Sequence, residues 1–165
     1  MNGCKQALVA LLCSLVIAGC MADDWVLLSY AGLNFSVPPS PQAMGVKGDD
    51  SDFFVVRYGA EKSKQYVAFT RFLAEPQYQC DSIEFVRAAF GELKKTECDQ
   101  QEVTMFAKVF ANDKKYGLLK KENMDVFYSE LDDSYFLFLL TPDKSVIKID
   151  SDFLSEADMK RVIGL

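Results

Sequence analysis

The stretch YFLFLLTPDKSVIKI, residues 135–149, decides the fold class of this chain. Residues 136–140 are continuously apolar, which is typical of a strand covered on both of its faces. Residues 142–144 contain proline and aspartate, which favour a reversal of the chain. Residues 145–149 then form a second strand. We therefore expect a hairpin near the centre of a sheet, with other elements packed on both sides.

Further strands, separated by polar turns, are predicted around this hairpin. Leu33, Phe35 and Val37 alternate with polar residues and give a strand with one buried face. A short turn containing Gly32 joins it to the strand before, and residues 38–52, rich in Pro, Gly and Asp, are predicted as a loop. The predicted strands comprise residues 25–30, 33–37, 53–58, 65–73, 103–111, 116–120, 124–131, 135–141 and 145–149.

Two helices complete the prediction. In residues 81–95 apolar side chains recur at helical spacing, and Asp81 and Glu84 can cap the start reciprocally. The second helix closes the chain, where Ser155 and Asp158 form a capping box. The predicted class is α+β: a mainly antiparallel sheet of eight or nine strands in hairpins, with one mid-chain and one C-terminal helix.

Two short strings suggest a fold family for residues 25–165, which we expect to form a single globular domain. They are LNFSVP, residues 33–38, and SVIKIDSDF, residues 145–153, which precedes the last helix. Together with the order of elements, they resemble the PsbP/Mog1-type fold and its DcrB-like lipoproteins. Because that fold carries unrelated functions, the resemblance implies an architecture but no site.

The first 19 residues have the features of an export signal. Lys5 is followed by an apolar run, Ala7 to Ile17, which is shorter than the about 20 residues that a membrane span needs. The run ends in the sequence Ile17-Ala18-Gly19-Cys20. This resembles the lipobox of bacterial lipoprotein precursors, in which an aliphatic residue and two small residues precede an obligatory cysteine. The alternative is a buried cysteine in an N-terminal helix.

The lipobox resemblance implies cleavage before Cys20 and attachment of lipid to its sulfur. Fatty chains such as palmitate would hold the protein in a bilayer, because each buried CH2 contributes about 0.8 kcal/mol. Residues 20–24 are then a tether of about 15 Å. We expect a Gram-negative envelope protein facing the periplasm, and Met21 in place of Asp favours the outer over the inner membrane.

Two cysteines of the exported chain, Cys80 and Cys98, are predicted to form a disulfide, because the compartment is oxidising. A helix running from Asp81 to Lys95 would leave too few residues to bring the two together. We therefore expect the helix to end near Gly91 to Leu93. Two unpaired buried cysteines are the alternative.

Composition excludes several classes of function. The chain has 165 residues, 24 acidic and 18 basic, a formal charge of −6, and no histidine. The acidic balance disfavours nucleic acid as a partner. The lack of histidine removes the usual general base and the commonest zinc ligand. We expect neither a cofactor nor enzymatic activity.

Two weaker patterns bear on chemistry. Ser145 and Lys148 match the S-x-x-K pattern, but on a strand residues three apart point to opposite faces. Acid-serine clusters at residues 49–52, 132–134 and 150–152 are predicted to be solvated turns, and the first is the best calcium candidate.

These observations favour a membrane-anchored, non-enzymatic lipoprotein that binds another envelope protein. An immunity protein that neutralises a toxin in the periplasm is one form of this hypothesis. A carrier or sensor of a small apolar ligand is an alternative, which predicts an enclosed pocket lined by Phe and Tyr. A carboxylate-dependent hydrolase is a further alternative, which requires two inward-facing acids on the floor of one cleft.

Overall fold

The computed structural model describes residues 24–47, 52–73, 75–112 and 115–165, and it confirms the α+β class. The strands are β1 Val26–Tyr30, β2 Leu33–Val37, β3 Ala43–Lys47, β4 Phe53–Arg57, β5 Tyr66–Phe72, β6 Lys115–Lys121, β7 Met124–Leu131, β8 Ser134–Leu140 and β9 Val146–Ser151. The helices are α1 Ser82–Ala89, α2 Gln100–Phe110 and α3 Glu156–Val162, and Pro76–Tyr78 forms a 3-10 turn.

Seven strands form one antiparallel sheet in the order β3-β4-β5-β9-β8-β7-β6, and β1 and β2 form a separate hairpin. The predicted hairpin of β8 and β9 lies inside the large sheet, with Leu137 opposite Ile149. Both residues are fully buried, as is Phe138 on the other face of β8. The prediction of a strand covered on both faces is therefore confirmed.

Different elements pack on the two faces of this sheet. On the first, which we call the hairpin face, Leu137 and Leu139 lie in one apolar cluster with Phe35 of β2 and Met159 of α3. On the second, the helix face, Phe138 lies in a cluster with residues of α1 and α2. The domain thus has three layers, and strand alternation assigns each side chain to one face.

The prediction of a strand at residues 103–111 is wrong, because α2 occupies this region. The Asp99 carboxylate accepts hydrogen bonds from the amides of Gln101 and Glu102, which caps the helix start. Phe106 and Phe110 are one turn apart and pack on the sheet. Apolar residues recur in this segment at both helical and alternating spacing, so the sequence pattern alone fits either element. The Asp99 cap favours the helix.

Residues 43–47 lie in the segment predicted as a loop, but they form the edge strand β3 beside β4. Gly45 in its middle and the prolines before it lowered its apparent strand propensity. The number of strands among the described residues is nine, because one predicted strand is lost and one is gained. The same residues contain three α-helices rather than the two predicted.

The first helix ends at the point that the predicted disulfide requires. Gly91 adopts a left-handed conformation with φ 77°, and the amide of Glu92 donates to the carbonyl of Arg87 at 2.9 Å. The chain turns back, and Cys80 and Cys98 are joined in a disulfide with their Cα atoms 4.9 Å apart.

At the starts of α3 and α1, one cap has the predicted hydrogen bonds and the other differs from the prediction. The capping box of Ser155 and Asp158 is present at the start of α3. Asp81 caps α1 by accepting a hydrogen bond from the amide of Glu84. The Glu84 side chain does not reciprocate as predicted, because it accepts hydrogen bonds from Thr96 and Glu97 and so ties the returning segment to α1.

Candidate functional site

The helices α1 and α2 pack over one part of the helix face. In this covered half, Phe127, Phe138 and Val146 of the sheet belong to the same buried cluster as Phe85 and Phe90. The rest of that face, formed by β4, β5 and the second half of β9, carries a groove with a volume of about 420 Å³. We call this the sheet groove.

The floor of the sheet groove is set by strand register. Val55 lies opposite Ala68, and Ala68 lies opposite Asp150, so all three side chains project from the same face. Charged and aromatic side chains surround this floor. The groove is lined by Phe53, Val55, Arg57, Lys62, Ser63, Tyr66, Ala68, Lys148 and Asp150.

An ion pair lies at the centre of the groove. Lys148 and Asp150 are two residues apart on β9, so both project into the groove, and the Lys148 Nζ lies 2.9 Å from the Asp150 Oδ1. Their side chains are 27% and 10% exposed. Because removing two charges from water costs energy that their attraction offsets only in part, such a pair is weak evidence for stability. Its partial burial on the part of the face that the helices leave open marks a candidate site.

Tyr66 and Arg57 complete the surroundings of the ion pair. Burial, with a smaller effect from the neighbouring Asp150 carboxylate, raises the pKa of the Tyr66 phenol to about 12. The phenol therefore stays protonated at neutral pH. Arg57 donates through Nη2 to three loop carbonyls, of which that of Glu61 is nearest at 3.0 Å. These bonds hold the β4–β5 loop as one wall of the groove.

This arrangement can bind a ligand of mixed character. The lining contributes three cations, Arg57, Lys62 and Lys148, and one anion, Asp150, on a chain whose formal charge is −6. The apolar floor can bury a side chain, and the fixed charges can orient it.

The two residues of the S-x-x-K pattern do not meet. The Ser145 hydroxyl lies in the β8–β9 turn, 2.8 Å from the Thr141 hydroxyl and 2.9 Å from the Asp143 carboxylate. Lys148 projects into the sheet groove instead. The two side chains are separate as predicted, but the reason differs, because Ser145 belongs to the turn before β9 and not to the strand.

The residues predicted for lipid attachment and for the disulfide lie in different parts of the chain. Cys20, with the rest of the lipobox, and residues 49–51 of the first acid-serine cluster lie outside the described residues. Cys80 and Cys98 lie beside α1, away from the sheet groove. Within the described ranges, the one close set of three metal-type ligands is Cys80, Glu84 and Cys98. Its two sulfurs are joined in the disulfide, so it offers no thiolate pair.

The structure also brings together two acid-serine clusters that are distant in sequence. Asp132 and Asp133 in the β7–β8 turn and Ser134 at the start of β8 line a second surface depression with Asp152, which follows β9. We call this the acidic cleft. Pairing of β8 with β9 places the two clusters at one end of the sheet.

Most of the residues that line the sheet groove were not predicted from the sequence. Tyr66 and Arg57 come from strands far from β9 in sequence, and nothing local marks them. A usable signal was present in β9 itself, where Lys148 and Asp150 alternate with the apolar Ile147 and Ile149.

Comparison with known proteins finds no matching family model, no matching curated protein and no matching solved structure. The resemblances to lipoprotein precursors and to the PsbP/Mog1-type fold remain predictions from sequence. Among the residues that the structure describes, none of the helices is both long and apolar enough to cross a bilayer.

Proposed function

We propose that this protein is a lipid-anchored binding module of the Gram-negative cell envelope, which holds a partner protein and catalyses no reaction. The observation that carries the proposal is the sheet groove, a part of the helix face that α1 and α2 leave open. The lipobox at Cys20 supplies the anchor and the periplasmic address.

The groove has the character of a protein-binding surface. Its floor contains Val55 and Ala68, and its rim contains Arg57 and Lys62, so apolar area is framed by charge. It lies on the central strands, which are held by hydrogen bonds on both sides and so present a rigid surface. The carrier hypothesis predicts an enclosed pocket lined by Phe and Tyr, whereas this groove is open and holds four charged side chains.

Trp25, near the start of the described chain, and the sheet groove lie on opposite sides of the sheet. Trp25, the first residue after the tether, packs on the hairpin face, and the Arg161 guanidinium of α3 lies 4.4 Å from the centre of its ring. The described part of the chain therefore starts on the hairpin side. A lipid at Cys20 would turn that side towards the bilayer and leave the sheet groove facing the periplasm.

The ionisation of the carboxyl groups does not favour the hydrolase alternative. A general acid needs a carboxyl whose pKa is raised towards neutrality. Among the described residues, the carboxyls with a clear shift are Asp125, Asp143 and Glu156, and the pKa of each is lowered. The largest cause in each case is a side-chain hydrogen bond, donated by Lys120, Thr141 and Lys160 respectively.

The anchor is tested by labelling cells with radioactive palmitate. Wild-type protein should take up label, and the Cys20→Ser variant should take up none. Equal labelling of the two proteins would remove the anchor and the address from the proposal.

The partner is tested by crosslinking in intact cells. A photoreactive benzoylphenylalanine placed at Ser63, on the groove wall, should give one adduct of defined mass. The matched control places it at Glu122, an exposed turn residue between β6 and β7 that does not line the groove. Adducts that are equal at both positions, or absent at Ser63, would contradict a binding function for the groove.

A further inference from the structure

The acidic cleft is a second surface whose chemistry differs from that of the sheet groove. It has a volume of about 510 Å³ and lies where the β7–β8 turn meets the connection from β9 to α3. Carboxylates dominate its lining, with one lysine among them. The charged lining residues are Glu130, Asp132, Asp133, Asp152, Glu156 and Lys64.

A buried hydroxyl without a partner lies in the wall of this cleft. Tyr135 is 3% exposed, and its phenol makes no hydrogen bond within the described residues. Tyr135 lines the cleft, and its phenol is close enough to Glu156 and Glu130 to feel their charge. A buried polar group that lacks a partner is costly, so a donor or acceptor entering the cleft would gain a hydrogen bond that the described residues do not supply.

The carboxylates of the cleft already bind amines of the chain itself. The Lys115 Nζ lies 2.7 Å from the Glu130 Oε2 and 3.0 Å from the Glu156 Oε2. The Lys160 Nζ lies 2.7 Å from the other oxygen of Glu156. Lys115 is 58% exposed, so a competing ammonium or guanidinium can reach this position. The site therefore has the geometry for a cationic side chain.

The remaining acids are spread along the cleft. Asp152 is fixed, because its carboxylate accepts hydrogen bonds from the amides of Gln65 and Tyr66 at 3.0 Å each. Asp132 and Asp133 are exposed in the turn. Across the described ranges, no three carboxylates come close enough to share one metal ion. Separated negative charges suit several cations on one chain better than a single ion.

We propose that the acidic cleft docks a segment of the partner protein that carries two or more Lys or Arg side chains, one of which displaces Lys115 from Glu130 and Glu156 beside the Tyr135 hydroxyl. This rests on the proposed function, because it names the chemistry of the partner. The excess of negative charge would also speed the encounter with a basic surface, and this effect would weaken in high salt.

Binding is tested with a fluorescein-labelled peptide of four alternating lysine and glycine pairs, using the purified full-length protein in non-ionic detergent. Fluorescence anisotropy should show that the Asp132→Asn, Asp133→Asn double variant binds at least five-fold more weakly than wild type. The matched control, Glu97→Gln with Glu122→Gln, removes two exposed charges outside the cleft and should stay within two-fold. Equal weakening in both variants, or no binding by wild type, would overturn the proposal.

Two single variants test the position of the docked cation. Lys115→Gln should tighten binding about three-fold, because it frees two carboxylates. Tyr135→Phe should weaken binding without lowering the melting temperature, because the lost hydroxyl has no partner among the described residues of the free protein. Unchanged affinity in both variants would overturn the displacement of Lys115.

A free polyamine is the other source of the same chemistry. Spermidine should compete with the peptide at least ten-fold more weakly than the unlabelled peptide does. If spermidine binds as tightly as the peptide, the cleft is a polyamine site and docking of a partner is wrong.

The docking proposal can fail while the proposed function stands. If the Ser63 adduct persists unchanged in cells that carry the Asp132→Asn, Asp133→Asn variant, the module has a partner but the cleft does not hold it. If the Ser63 adduct is absent from wild type, the proposed function itself fails.

Discussion

The covered half and the open half of the helix face share strands β5 and β9 but differ in packing and in charge. Val146, at the start of β9, is fully buried under α1 and α2, whereas Lys148 and Asp150 of the same strand form an ion pair in the sheet groove. Aromatic rings fill the covered half, and charges line the open half. The difference teaches that one half of a face is filled by packing while the other half stays open, which is the surface that we propose for binding.

The largest loss of stability should come from removing a side chain at the centre of the covered half. The Phe138 ring lies 5.1 Å from that of Phe110, 5.4 Å from Phe106 and 5.5 Å from Phe90. Phe138→Ala should lower the free energy of unfolding by about 3–5 kcal/mol, measured by urea denaturation. Val55→Ala in the groove is the control and should cost much less. Equal costs would remove the distinction between the halves.

The disulfide should give the next largest effect, because it closes the segment that carries α1. The two cysteines are 18 residues apart in sequence. The Cys80→Ser, Cys98→Ser double variant should lose about 3 kcal/mol of stability in urea denaturation. Groove crosslinking through Ser63 should persist under conditions where the variant is folded. Loss of the adduct in a folded variant would show that the two halves are coupled.

The ion pair should give a smaller effect that separates binding from stability. Asp150→Asn leaves Lys148 without its counter-charge and should cost about 1–3 kcal/mol. Replacing both residues, Lys148→Met with Asp150→Leu, should restore most of this stability, because apolar residues of similar size pack well in place of an ion pair. The double variant should nevertheless lose the Ser63 adduct. A stable double variant that still forms the adduct would show that the pair has no role in binding.

The smallest expected effect is a dependence of the free energy of unfolding on pH. It falls on the acid side for the covered half and on the alkaline side for the open half. Hydrogen bonds from Lys120 and Arg87 lower the pKa of Asp125, which joins α1 to β7 in the covered half. A lowered pKa in the folded state means that the stabilisation is complete above the unfolded pKa of about 4 and is lost as pH falls below it. Tyr66, with a pKa raised to about 12, loses its contribution as pH rises from its unfolded pKa of about 10 through that value.

Urea denaturation at pH 3, 7 and 11 measures these contributions. Asp125→Asn should flatten the loss of stability on the acid side, and Tyr66→Phe should flatten it on the alkaline side. If either variant flattens the opposite side, the assignment of the two groups is wrong.

The sequence predicts the covered core better than it predicts the surfaces. The β8–β9 hairpin is identifiable because a continuous apolar run, a turn and an alternating strand follow one another within 15 residues. The end of α1 is identifiable because Gly91 supplies the left-handed conformation that the short return to Cys98 requires. Both conclusions depend on local patterns.

The surfaces could not be predicted because they depend on contacts between distant segments. Asp150 meets Tyr66 only because β5 pairs with β9, and Asp132 meets Asp152 only because β8 pairs with β9. Each residue alone is typical of an ordinary turn or strand. The misassignment of α2 has a local origin, since its spacing fits both periods and only the Asp99 cap distinguishes them.

The contact between the Arg161 guanidinium and the Trp25 ring determines on which side of the domain a label at the C-terminal end will lie. The contact joins α3 to the start of the described chain, so, if Cys20 is lipidated as proposed, a fluorophore attached at Leu165 should lie on the bilayer side of the domain. Brominated phospholipids should quench such a fluorophore, whereas one attached at Lys62 should stay bright. Reporter fusions meant to capture binding are therefore better placed in an internal turn than at the C-terminal end.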